Sequence, residues 1–218
     1  MGDIKYSSYV RSVITTAYAA WSVSAFEQPS TSKWNILGTN DVYFNTQVGS
    51  NFSSGTGSTV WWEELGRTTL SSAGDTISIA SFSARKYLKL IISCLPSGAI
   101  TAIVRFNNDS GSNYASVYTT NGGAASNSTS DTSFLADVDN AAVSKFAEFE
   151  IVNISSQPKL VIGNMVTENA SGAGTYPNMR DIRAKWQNTS AQITRVDVVN
   201  TAAGDFASGS QVVVLGHD

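Results

Sequence analysis

The run Leu88-Lys89-Leu90-Ile91-Ile92-Ser93-Cys94, the turn Pro96-Ser97-Gly98 and the run Ile100-Thr101-Ala102-Ile103-Val104-Arg105-Phe106 decide the fold class. Leu88, Leu90, Ile92 and Cys94 share one face, with Lys86, Lys89 and Ser93 turned towards solvent. Ile100, Ala102, Val104 and Phe106 share another, opposite Thr101 and Arg105. A period of two is the mark of a strand with one buried side. Two such runs about a Pro-Ser-Gly turn read as a β-hairpin.

The same period recurs outward from this pair. Ile77 and Ile79 alternate with Ser78 and Ala80. Further strands are expected over 60–69, 114–119, 145–154, 159–166, 180–186, 193–199 and 211–215, about ten in all at sandwich-like spacing. Helical periodicity is nowhere sustained. The expected fold is all-β, an antiparallel jelly-roll-like sandwich over 59–218, preceded by an N-terminal arm over 1–58. The boundary falls at the low-complexity stretch Gly49-Ser50-Asn51-Phe52-Ser53-Ser54-Gly55-Thr56-Gly57-Ser58. Within the arm, Tyr9 to Trp21 reads as a short helix or an extended segment, its β-branched Val13, Ile14, Thr15 and Thr16 disfavouring the helix.

Composition narrows the function. Only 14% of the 218 residues are charged, and Ser, Thr, Asn and Gly make up the polar surface. A formal charge of −3 with scattered basic residues speaks against a nucleic-acid partner, whose phosphates demand clustered Lys and Arg. Lys5 and Arg11 precede a mildly apolar stretch, Val13 to Phe26, and Ser22-Val23-Ser24-Ala25 loosely resembles a signal-peptidase site. The stretch is diluted by Thr15, Thr16, Ser22 and Ser24, so no cleaved leader is expected. No stretch approaches the roughly 20 apolar residues of a membrane span. The single cysteine, Cys94, lies in an apolar run as a buried, inert thiol, and excludes an internal disulfide or a Cys-based zinc site.

Candidates for chemistry are few. His217 is the only histidine and sits next to the C-terminal residue, a poor place to hold an imidazole against an oriented carboxylate. Glu148 and Glu150 share a strand face about 7 Å apart, within the range of glycosidase carboxylate pairs. Such pairs normally flank a cleft from different strands, so a solvated face is the expectation. Glu63 and Glu64 alternate sides and cannot act together. Asp137-Val138-Asp139-Asn140 offers oxygens to Ca²⁺ but lacks the glycine and distal glutamate of a calcium loop. No catalytic residue, metal or cofactor is therefore expected. Of the tryptophans, Trp61 and Trp62 should point to opposite faces, one of them into the core, and Trp186 should be packed with Ile182 and Ala184. Two loops stand out by length, 120–144 and 168–178, and the first is a candidate for partner contact, with a mobile surface excursion as the alternative. The Asn-x-Ser/Thr triplets at Asn51, Asn108, Asn127, Asn153, Asn169 and Asn188 are expected by chance in so Asn-, Ser- and Thr-rich a chain.

Three segments carry a family resemblance. Ile193-Thr194-Arg195-Val196-Asp197-Val198-Val199, leading through Gly204-Asp205-Phe206-Ala207-Ser208-Gly209-Ser210 into Gln211-Val212-Val213-Val214-Leu215-Gly216, resembles the closing hairpin of jelly-roll domains in tailed-bacteriophage tail-fibre, head-fibre and capsid-decoration proteins. Arg85–Leu88 through Ala102–Ala115, with its Phe106-Asn107-Asn108-Asp109-Ser110-Gly111-Ser112-Asn113-Tyr114, resembles the same group, as does Ala184-Lys185-Trp186-Gln187-Asn188-Thr189-Ser190. The resemblance covers roughly 60–218. It implies a non-enzymatic virion structural protein assembled in the bacterial cytoplasm. The expected role is a capsid-decoration (cement) protein, a trimer bound to the major capsid protein or another virion protein. The alternative is a tail or head fibre that binds host-surface glycans. The Trp34–Phe44 segment is similar to short pieces that seat such domains on the particle. On that reading Trp21, Trp34, Ile36, Leu37, Tyr43 and Phe44 are the candidate capsid contacts.

Overall fold

The computed structural model describes residues 62–137, 141–170 and 172–218. Twelve strands are present among them. The first six are β1 (Glu63–Thr69), β2 (Thr76–Ile79), β3 (Tyr87–Cys94), β4 (Ala102–Phe106), β5 (Tyr114–Thr120) and β6 (Ser126–Asp131). The rest are β7 (Phe134–Leu135), β8 (Lys145–Val152), β9 (Lys159–Thr167), β10 (Asn178–Trp186), β11 (Val196–Asn200) and β12 (Gln211–His217).

All ladders are antiparallel, and their order identifies the architecture. β1 pairs with β12, β2 with β11, β3 with β8 and β4 with β7. The chain is thus one long hairpin whose two arms wind together over two sheets, which is a jelly roll. One sheet runs β2-β11-β4-β7; the other begins β1-β12-β3-β8 and continues β9-β10-β5-β6. The extra strands come from two excursions, β5–β6 between β4 and β7 and β9–β10 between β8 and β11. They meet along the β5·β10 ladder and double the width of the larger sheet.

The inward faces form one core. Leu88, Leu90, Ile92 and Cys94 of β3 are buried, as are Ile100, Ala102, Val104 and Phe106. An aromatic cluster joins the sheets: Phe106 lies 5.6 Å from Phe134 and 5.9 Å from Trp186, and Phe134 meets Phe149 edge-on at 5.2 Å. Gly163 of β9 is obligatory here, because a Cβ would fall 2.1 Å from the Glu148 carbonyl and 2.4 Å from the Phe149 ring.

Three sequence expectations are corrected. β3 and β4 are not a hairpin: they lie in different sheets, and Leu95–Thr101 crosses between them. The closing hairpin is likewise a crossover, with β11 in one sheet and β12 in the other. Each crossover finds its hydrogen-bond partner in the other. Ser97 N–H donates to Asp205 O, Gly204 N–H to Ala99 O and Ala207 N–H to Leu95 O. Alternation fixes which face of a strand is buried, but not which strand lies beside it. Finally, 120–144 is not all loop. It holds β6 and β7; β6 (Ser-Asn-Ser-Thr-Ser-Asp) is an edge strand held by backbone bonds to β5, with no apolar alternation to betray it.

Candidate functional site

The residues that carried the family resemblance are committed to the fold. Asn107 and Asn108 adopt positive φ (51° and 57°), a region Asn tolerates better than most residues. The Asn107 side-chain oxygen accepts from Thr194 N–H and Arg195 N–H, and its amide donates to Gln192 O. Asp109 gathers Gly111 N–H, the Asn113 amide and Trp186 Nε1–H, the last at 2.6 Å. Burial raises the pKa of Asp109, but the bonds from Trp186, Gly111 and Asn113 outweigh it and hold the carboxyl below its ordinary value. Tyr114 turns its hydroxyl back to accept from Phe106 N–H at 2.8 Å. The segment is a structural knot tying β4, β5 and β10.

Other candidates are equally structural. Cys94 is buried, and desolvation pushes its thiol up to about 12. Asp137 is wholly buried. Its Oδ1 lies 2.6 Å from Lys145 Nζ and its Oδ2 accepts from Ala102 N–H, so it braces the β4–β8 region rather than offering a calcium ligand. Residues 138–140, the rest of that motif, lie outside the described residues. Among the described residues no cluster of three His, Cys, Asp or Glu is placed to hold a metal. Asn153 is fully buried, bonded to Ile193 N–H and to Arg85 O, which removes it as a glycan acceptor. Trp186 is packed, as expected. Trp62 is partly exposed, edge-on to His217 at 4.6 Å, and Tyr87 flanks the same imidazole at 5.1 Å. Trp61 lies outside the described residues, as do the six anchor candidates Trp21, Trp34, Ile36, Leu37, Tyr43 and Phe44.

What remains is the outward face of the larger sheet. Its register sets side chains in rows across β8, β9 and β10. One row is Phe146–Val166–Met179, the next Glu148–Asn164–Asp181, then Glu150–Ile162–Arg183, and last Val152–Leu160–Lys185. Val117 of β5 extends the third row. The two middle rows form a shallow depression of about 240 Å³ lined by Glu148, Glu150, Ile162, Gly163, Asn164, Asp181 and Arg183. Glu148 is ion-paired with Lys89 at 3.0 Å, bracing β3 against β8. Glu148 and Glu150 do share a face, as their spacing implies. Asp181 stands two strands away from Glu148, about 10 Å in backbone terms. The groups are aligned on an open surface and do not converge from opposite walls. Carboxylates, an amide and a guanidinium so disposed can hydrogen-bond a ligand laid on the sheet.

The sequence reading singled out Glu148 and Glu150 but missed Phe146, Leu160, Ile162, Val166, Met179, Asp181 and Arg183. A signal was available in Leu160-Val161-Ile162, which is apolar on successive residues. That breaks the one-faced alternation and marks a strand apolar on both sides. Compared with protein-family models, curated proteins and solved structures, the chain matches none.

Proposed function

We propose that the protein is a non-enzymatic structural protein of a virion, a capsid-decoration protein that binds the major capsid shell through residues 1–58 and displays its jelly roll. One observation carries the reading. Six of the nine large hydrophobic side chains exposed among the described residues lie on the outward face of β8, β9, β10 and β5, interleaved with charged rows, which suits a protein that works by contact. The resemblance of 85–115, 184–190 and 193–216 to virion jelly rolls supports it, since those residues build the scaffold itself. Deleting residues 2–46 should abolish incorporation into capsids while the far-UV spectrum keeps its β signature. Unchanged incorporation refutes the anchor role of the six N-terminal candidates.

A second reading, a tail or head fibre that binds host glycans, is favoured by the depression lined by Glu148, Glu150, Asn164, Asp181 and Arg183. These side chains offer both donors and acceptors to sugar hydroxyls. Saturable binding on a glycan array, lost on Asp181→Ala, separates it from the first.

A further inference from the structure

We propose that Lys145 and Asp137 condense, once the chain has folded, into an isopeptide bond. It would join the connection that leaves the smaller sheet to the first residue of β8 in the larger one. Asp137 follows β7, and Lys145 opens β8. Both side chains are 1% exposed, and Lys145 Nζ lies 2.6 Å from Asp137 Oδ1, one bond away from the carboxyl carbon. Groups held in reacting geometry behave as if at an effective concentration of about 10⁵–10⁸ M. The interior also withholds the water that reverses such a condensation in solution.

The groups around the pair suit the reaction as well as they suit the ion pair. The Ile100 carbonyl accepts from Nζ at 3.0 Å and aims the nitrogen. Ala102 N–H donates to Oδ2 at 2.8 Å, where negative charge gathers during attack. Thr167 supplies a further group. It is the ladder partner of Lys145 on β9, both side chains are buried, and its Oγ1 has no hydrogen-bond partner among the described residues. Directly opposed residues hold their Cβ atoms about 4.5–5.5 Å apart. A hydroxyl there both donates and accepts, as a proton relay must.

The step balances without an oxidant or cofactor. The ammonium passes one proton to Asp137 Oδ1, and the freed Nζ lone pair attacks Cγ. Charge collects on Oδ2 against Ala102 N–H. A second proton leaves Nζ through Thr167 Oγ1 for Oδ1, the Cγ–Oδ1 bond breaks, and water departs. The Nζ–Cγ amide keeps one N–H for the Ile100 carbonyl and Oδ2 for Ala102 N–H, so both backbone groups stay satisfied. It also removes two buried charges, whose attraction offsets only part of the cost of their desolvation. The ion pair is the state into which the chain folds, and the amide accumulates from it.

The inference rests on this pair and not on the capsid-binding proposal. Mass spectrometry tests it on the full chain, kept folded until its mass is constant and then denatured. The chain should be lighter than its sequence by one water. Trypsin should fail to cleave after Lys145, and the fragment 106–159 should carry the loss. Lys145→Met should keep its full mass. Asp137→Asn, which would expel ammonia instead of water, should converge on the mass of the wild-type product. Thr167→Val should slow the condensation at least about tenfold. A wild-type chain of full mass, cut by trypsin after Lys145, overturns the inference. So does a loss of water that persists in Lys145→Met, or an Asp137→Asn chain that never reacts; an unchanged rate in Thr167→Val overturns the relay.

Discussion

Replacing Lys145 by Met tests the buried ion pair at the centre of the sandwich. Both side chains are 1% exposed, and Lys145 Nζ lies 2.6 Å from Asp137 Oδ1 and 3.0 Å from the Ile100 carbonyl. Met matches the length of the lysine stem, so packing is nearly conserved and the change removes charge and donors. Asp137 keeps its bond from Ala102 N–H but loses its ion pair with Lys145 in the buried interior. Breaking such a pair from one side costs about 3–5 kcal/mol. In a domain of this size each kcal/mol moves the melting temperature by about 2–4 °C, giving a drop of roughly 6–20 °C. Asp137→Leu alone should cost a similar amount. The double variant should cost far less than the sum, because the one ion pair is broken in either single variant and can be lost only once. The carbonyl of Ile100 and the N–H of Ala102 still lose partners, at about 1–3 kcal/mol each. Equilibrium urea unfolding of the four proteins gives the coupling energy directly. A loss under about 1 kcal/mol for Lys145→Met would refute the reasoning, as would strict additivity in the double variant.

Three further outcomes are expected. Asp109→Asn weakens charge-assisted bonds to Trp186, Gly111 and Asn113 and should cost about 1.5–3 kcal/mol, with a shift in Trp186 fluorescence. Because the folded carboxyl is held below its ordinary value, this contribution is complete above the unfolded value and is lost as pH falls through the folded one. The stability gap between wild type and Asp109→Asn should therefore narrow below about pH 4; a gap independent of pH contradicts the assignment. Gly163→Ala forces a methyl against the Glu148 carbonyl and the Phe149 ring and should destabilise by about 3 kcal/mol or more, measured by urea unfolding; a neutral effect would mean β8 and β9 can separate freely. The Cys94 thiol, pushed up to about 12 and buried, should resist a disulfide reagent at pH 8 until denaturant is added, and stoichiometric labelling of the native protein would contradict its burial.

Much of this protein was legible in the chain alone. Alternation identified the strands around Leu88–Cys94, Ala102–Phe106, Lys145–Val152 and Asn178–Trp186, and assigned the right side chains to the core, because burial of one face is a local property with a fixed period. Low charge and abundant Ser, Thr, Asn and Gly announced an all-β domain. Partner choice was decided only in three dimensions. Nothing in Pro96-Ser97-Gly98 says that the chain leaves one sheet for the other; the crossover forms because its backbone pairs with Asn200–Ala207, about a hundred residues away. The strand β6 was invisible because backbone bonds alone hold it. The outward face of the larger sheet arises only where two excursions far apart in sequence meet along β5 and β10, bringing Phe146, Ile162, Met179 and Val117 onto one surface. A sequence records which side of each strand avoids water; only packing decides which strands share the side that does not.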